Sequence, residues 1–284
     1  MTNSSIEHRR NLCGVECSIL EINAQQTDTL VLLHGWLDNL GTFEPLIQHL
    51  TEYRIIAVDF PGHGQSGHLP EGMAYHFLDL VYVIQDLFKQ FNLSQASIIG
   101  HSMGGAAATL FASVSDQLKS LVLLEALGPL TVTHDKTLEL MRTSLKERAA
   151  VESKQRRIFP NIDSAIELRA NHSKMTVEQV RPIVVRGLEE SGGGYRWSSD
   201  PRLRIASINR LTEVQLKPML ENIQCPCFLV EADDGIFANN ELIQQRKTLF
   251  PNLSIEQLTG GHHVHLEQPE KVASAIKGFL QQNK

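Results

Sequence analysis

ASIIGHSMGGAAAT, residues 96 to 109, is an apolar run broken by a Gly-x-Ser-x-Gly turn and continued by small residues of good helix propensity. The pattern predicts a strand, a sharp turn and a helix. Gly100 and Gly104 lack the Cβ atoms that would collide where strand and helix cross closely, and a seryl side chain between them projects from a cramped backbone. Ser102 then stands at the helix N-terminus, where unpaired N–H groups and the positive end of the dipole favour a developing anion. Five residues alone describe a glycine-rich turn with an idle serine equally well, so the remainder of the chain has to decide.

The segments on either side repeat the strand-then-loop pattern. Leu12 to Ile22 and Thr29 to Leu33 are rich in β-branched and apolar residues and read as two early strands, the second ending in His34-Gly35-Trp36. Helical spacing follows at Phe43, Leu46, Ile47 and Leu50. The strand Arg54 to Val58 then runs into Asp59-Phe60-Pro61-Gly62-His63-Gly64-Gln65-Ser66. Tyr75 to Phe91 carries the stripe of an amphipathic helix, and Leu118 to Leu124 is continuously apolar. Strands without alternation are buried on both faces, which predicts a parallel sheet covered by helices. Its polar loops gather at one edge, where open α/β folds bind ligands.

At Gly128-Pro129 the rhythm breaks. Residues 130–214 show no convincing buried strand but three helical stretches, near 137–157, 162–170 and 177–189, before a flexible turn at Gly192-Gly193-Gly194. The expected organisation is therefore a core made of 1–129 and 215–284, with 130–214 as a helical cap over the sheet edge. Between 128 and 214 there are 15 Lys and Arg against 11 Asp and Glu, a net of +4 that leaves −10 for the rest. Opposite signs could dock the cap or draw an acidic substrate to the mouth, although solvated helix faces suffice to explain them. The parallel pattern resumes at Cys227 to Glu231, followed by Asp233-Asp234-Gly235-Ile236, a helix over 239–249 and the strand Leu253 to Leu258. After Gly260-Gly261-His262-His263-Val264-His265, Pro269 opens a final helix.

Composition narrows the function classes. With 284 residues, 42% hydrophobic and 20% charged, the chain can bury one substantial core. A net charge of −6 argues against a nucleic-acid binder. The N-terminus lacks the apolar core of a signal peptide and no run is long enough to span a bilayer, so a cytoplasmic protein without a membrane partner is expected. Cys13, Cys17, Cys225 and Cys227 fall in two close pairs whose spacing is unusual for zinc, and they read as reduced structural thiols with no metal site.

A serine hydroxyl needs a base to take its proton, and the base needs an orienting carboxylate. His262, the first side chain after the last strand and its double glycine, is the expected base, with His263 and His265 as alternatives. Asp234, before Gly235-Ile236, is the expected acid. Asp233 beside it and Glu125, at the end of the 118–124 strand, are the other candidates. A tetrahedral oxyanion needs preorganised donors, for which the backbone N–H groups of Trp36 and Met103 are placed. Trp36 and Met103 would line the acyl pocket, with His34 and His101 as wall or hydrogen-bonding residues.

Taken together, HGW at 34–36, DFPGHGQS at 59–66, GHSMGG at 100–105, EADDGI at 231–236 and GGHHVHLEQPE at 260–270 resemble the α/β-hydrolase family over essentially the whole chain. The PGHGQS loop and RWSSDPRLR at 196–204 are most similar to its serine hydrolase-like group. The resemblance implies a mostly parallel eight-stranded sheet, a cap inserted after the sixth strand, the chain order serine, acid, histidine, and no cofactor. Serine at 102 departs from the aspartate of related dehalogenases and epoxide hydrolases. The expected activity is carboxylesterase-type hydrolysis of a small to medium ester by a monomer or homodimer. A carbon–carbon bond hydrolase, a lyase, a cofactor-free peroxidase and a non-catalytic ligand receptor are the other functions this scaffold supports.

Overall fold

The computed structural model describes residues 5–153, 155–173, 175–238 and 240–283. Eight strands form one sheet: β1 (Ser5–Leu12), β2 (Val15–Ile22), β3 (Thr29–Leu33), β4 (Arg54–Val58), β5 (Ala96–His101), β6 (Leu118–Leu124), β9 (Cys227–Ala232) and β10 (Leu253–Leu258). Their spatial order is β1-β2-β4-β3-β5-β6-β9-β10. The pairs from β4 to β10 are parallel, while β1 with β2 and β2 with β4 run antiparallel. The mostly parallel sheet expected from the apolar runs is thus present.

One difference lies at the N-terminus, where β1 was not anticipated. Its sequence, SIEHRRNL, is exposed along nearly its whole length, so no apolar pattern marks it. What makes it a strand is the turn Cys13-Gly14, both residues at positive φ, which folds it back on β2 in register from Ser5↔Ile22 to Leu12↔Val15. A polar strand at a sheet edge also resists pairing with other chains.

Helices cover both faces. On one, α2 (Leu80–Gln90), α3 (Met103–Val114) and α7 (Glu213–Glu221) bury Val83, Ile84, Leu87, Phe111, Leu216 and Leu220 in the larger core. On the other, α1 (Glu44–Ile47) and α10 (Pro269–Gln282) bury Leu46, Ile47, Val272, Ile276 and Phe279 against Leu30, Leu32, Val122 and Val230. Since α7 packs into the main core, the chain has rejoined it by Glu213.

Between β6 and α7 lie α4 (Thr137–Ser153), α5 (Ile162–Ser173) and α6 (Val177–Arg186), then a hairpin of β7 (Leu188–Ser191) and β8 (Gly194–Trp197). The hairpin corrects the expectation of helices alone. Gly192 and Gly193, at φ 59° and 79°, turn it, and four-residue strands are too short to leave a readable period. The segment has a small core of its own, including Phe159, Ile166, Val180, Ile183 and Val184. It is tied to the sheet-edge loops by polar contacts. Arg186 donates to Asp59 Oδ2 (2.9 Å), Glu7 Oε1 (2.7 Å) and Ser18 Oγ (2.8 Å), and Asn39 Nδ2 donates to Ile183 O (2.8 Å). Among the described residues, no helix is long and apolar enough to cross a membrane.

Candidate active site

The turn between β5 and α3 explains its own glycines. A Cβ on Gly100 would stand 2.4 Å from Gly105 Cα, and one on Gly104 would stand 2.1 Å from Leu33 O, so helix and sheet meet at a distance only glycine permits. Ser102 sits between them at φ 49°, ψ −115°, a strained backbone held by Ser102 N–H to Leu124 O (3.1 Å) and Ala106 N–H to Ser102 O (2.9 Å). Met103 is the first residue of α3, so its N–H belongs to the donors a helix leaves unpaired.

His262 meets this serine. Its Nε2 lies 3.0 Å from Ser102 Oγ, the distance of a hydrogen bond to the base. His263 and His265, the alternatives, turn elsewhere: His263 Nε2 is 2.9 Å from Asp38 Oδ2, and His265 Nε2 is 2.8 Å from Thr42 Oγ1.

The carboxylate beside His262 is Glu125, and this corrects the expectation of Asp234. Glu125 Oε2 lies 3.4 Å from His262 Nδ1, while Oε1 accepts the Ala232 N–H at 2.8 Å. Glu125 follows β6, the strand paired with β5 on one side and β9 on the other, and its side chain meets the His262 ring at the nitrogen facing away from Ser102. The residue is fully buried and at φ 48°, a second strained position in the same site. Gly235 makes room for it, since a Cβ there would fall 2.2 Å from Glu125 Oε2. Asp234 is exposed on the turn, where, among the described residues, its backbone alone is engaged, N–H to Gly260 O (3.0 Å). Asp233 Oδ1 instead accepts the Gly260 N–H at 2.9 Å and steadies the loop that carries His262.

The flanking histidines divide. His34 is buried and lines no part of the cavity, so of the wall and hydrogen-bonding roles it takes the second. Its Nδ1 faces Gly35 O (2.7 Å) and its Nε2 accepts the Phe60 N–H (3.0 Å), so it ties the loop after β3 to the loop after β4 as a neutral imidazole. Burial pushes its pKa down to about 4. His101 does border the cavity, and its Nε2 donates to His262 O at 2.9 Å, supporting the base through its backbone.

Beneath the site lies a buried anion that sequence reading missed. Burial would raise the Asp38 carboxyl, but His263 and Arg169 outweigh it and hold the group far below the usual carboxylate range. Arg169 of α5 donates to Asp38 Oδ1 at 2.5 Å. Asp38, His101 and His263 are the group of donors, among the described residues, that comes close enough to hold a metal, with ligand atoms within 4.8 Å. Both Asp38 oxygens already serve partners, one Arg169 and the other His263, which makes the group an ion-pair network. The four cysteines are free thiols, Cys13 and Cys17 at the β1–β2 hairpin and Cys225 and Cys227 at the start of β9.

Ser102 and His262 open on a cavity of about 1160 Å³ walled by the sheet-edge loops, α2 and residues 128–130 and 203–211. Most of its lining is apolar, including Leu69, Met73, Phe77, Val83, Leu130 and Phe237. Trp36 and Met103 both line it. Trp36 is half exposed, and its indole N–H donates to Leu203 O at 2.9 Å, fixing the loop after β3 to the 203–211 segment that also lines the cavity.

Known proteins share this architecture. A family model of the alpha/beta hydrolase fold matches residues 28–165. The serine hydrolase-like protein of Danio rerio is 29% identical over 264 residues, which cover 89% of this chain and 81% of that protein. The hypothetical protein PA1622 of Pseudomonas aeruginosa PAO1 superposes with a TM-score of 0.91 at 30% identity, over 97% of this chain and 99% of that one. The thioesterase domain from the curacin biosynthetic pathway does so with a TM-score of 0.84 at 26% identity, over 97% of this chain and all of that domain. The chain is a hydrolase that belongs to the α/β-hydrolase family, similar to its serine hydrolase-like members.

Proposed function

We propose that this protein is a serine esterase that cleaves small to medium carboxylic esters through an acyl-enzyme, with Ser102, His262 and Glu125 as its triad. The observation that carries the reading is the continuous chain Ser102 Oγ, His262 Nε2 at 3.0 Å, His262 Nδ1 and Glu125 Oε2 at 3.4 Å, opening on an apolar cavity. Ser102 Oγ attacks the ester carbonyl while His262 Nε2 takes its proton, and the buried Glu125 carboxylate keeps Nδ1 protonated and steadies the imidazolium. The N–H groups of Met103 and Trp36 receive the oxyanion, and one such donor is worth ~10² to 10³ in rate. His262 then returns the proton to the leaving alkoxide, and a water activated by the same nitrogen releases the acid. Residues 130–214 act as the cap that roofs the acyl site.

A fluorophosphonate probe is expected to label Ser102, with Ser102→Ala abolishing both labelling and turnover of p-nitrophenyl esters graded by acyl length. Persistent labelling of the alanine variant would remove Ser102 from the nucleophile role. A labelled protein that turned over no ester would shift the chemistry to carbon–carbon bond cleavage.

A further inference from the structure

Two arginines of the cavity lining, Arg204 and Arg210, make no ion pair among the described residues, and Arg204 is the one next to the Trp36 contact. Arg202 and Arg204 lie on one short turn, Pro201–Arg204, yet they are used differently. Arg202 is spent on structure: it grips Asp200 through Nε and Nη2 and donates to the carbonyls of Leu69, Pro70 and Met73. Arg204 lines the cavity and, among the described residues, makes no ion pair or side-chain hydrogen bond. Its place is fixed close to the chemistry, because the preceding carbonyl, Leu203 O, holds the indole of Trp36. The charged group acting on it is Arg169, itself committed to Asp38. Burial and then this like charge push the Arg204 guanidinium down from its ordinary value.

The carboxylates bordering the same cavity do not neutralise it. Glu147 accepts the Ala206 N–H at 2.7 Å, and Asp79 and Asp86 act on Cys13. Asp38 is shared by Arg169 and His263. Arg204 is solvent-exposed at the cavity lining, so its charge stays hydrated, and with no ion pair among the described residues it is free to take an incoming anion. Its planar fork matches a carboxylate or related oxyanion.

We infer that Arg204 is a substrate-binding residue that receives an anionic group on the acyl part of the ester, so that the preferred substrates are half-esters of dicarboxylic acids or acyl groups bearing an equivalent oxyanion. The inference rests on the serine-esterase reading and narrows its substrate class. The net positive charge of residues 128–214 acts in the same direction, drawing anions toward the mouth.

The test compares mono-p-nitrophenyl glutarate with p-nitrophenyl valerate, which have the same chain length with and without the terminal carboxylate. The wild-type protein is expected to favour the glutarate in kcat/KM, and added salt to shrink that preference. Arg204→Gln is expected to lower the glutarate-to-valerate ratio about ten- to a hundredfold, the span of a charge-assisted hydrogen bond, with Arg204→Lys retaining part of it. A ratio in Arg204→Gln within twofold of wild type overturns the assignment. A second readout, calorimetric binding of monomethyl glutarate to Ser102→Ala, needs no turnover. Binding at least tenfold weaker after adding Arg204→Gln supports the subsite even if no ester is hydrolysed, in which case the esterase reading alone falls. Equal binding with and without Arg204 overturns the subsite alone.

Discussion

Replacing Glu125 by Gln is the perturbation that most directly separates the carboxylate that faces His262 from the one suggested by the loop sequence. The carboxylate uses its two oxygens differently, Oε1 accepting from Ala232 N–H at 2.8 Å and Oε2 facing His262 Nδ1 at 3.4 Å. A glutamine can keep the first bond only by placing its carbonyl there, which turns its NH₂ toward His262. A donor facing Nδ1 favours the tautomer with hydrogen on Nε2, and that nitrogen can no longer accept the proton of Ser102. Loss of the correct tautomer without loss of geometry is worth ~10⁴ in kcat in a serine triad. Glu125→Gln is therefore expected to lower kcat on a p-nitrophenyl ester by about that factor with little change in Tm, whereas Asp234→Asn, on an exposed side chain, stays within about twofold. Initial rates with active-site titration check both. If Glu125→Gln keeps more than a tenth of the activity, or Asp234→Asn loses a thousandfold, the assignment of Glu125 is wrong.

Other consequences concern the scaffold. Gly235→Ala places a methyl group against Glu125 Oε2 and is expected to cut kcat at least tenfold while the fluorophosphonate still labels Ser102; unchanged turnover would show that the carboxylate tolerates displacement. Arg186→Ala leaves the fully buried Asp59 without the charge that opposes its desolvation, and is expected to cost about 3–5 kcal/mol in urea unfolding. A loss below about 1 kcal/mol would mean that water replaces the guanidinium. Burial holds His34 near 4 and His63 near 3, with His101 and His265 also well below the ordinary imidazole value. Between about pH 6.5 and 4 the unfolded chain therefore binds protons that the folded chain refuses. Stability falls with pH across that window by about 1.4 kcal/mol per unit for each such histidine. A Tm that stays level from pH 6.5 to 4.5 would contradict it.

Sequence reading succeeded where the physical cause is local. Ser102 was legible because strand, turn and helix are contiguous and the turn geometry excludes every residue but glycine on its flanks. His262 was legible because a single strand end and a double glycine place it. The hairpin β7–β8 and the strand β1 were not, since pairing with a neighbour, and no period of their own, makes them strands.

The acid marks the boundary most clearly. Asp234 and Glu125 both follow strands that end at the same sheet edge, and the Gly235-Ile236 context that favours Asp234 carries no information on which carboxylate faces His262. The sheet order does: β6 lies between β5 and β9, so the residue that follows it, Glu125, meets the His262 ring on the side away from Ser102, while the turn after β9 carries Asp234 out to solvent. The same holds for Asp38 with Arg169, for Asp59 with Arg186, and for Arg204, which makes no ion pair among the described residues. Sequence alone determined the strand-turn-helix that presents Ser102, the loop that carries His262 and the layered fold, because these follow from short-range sterics and hydrophobic period. Only the tertiary structure decided which charges face one another, because a charge acts through a few ångströms of space however many residues lie between.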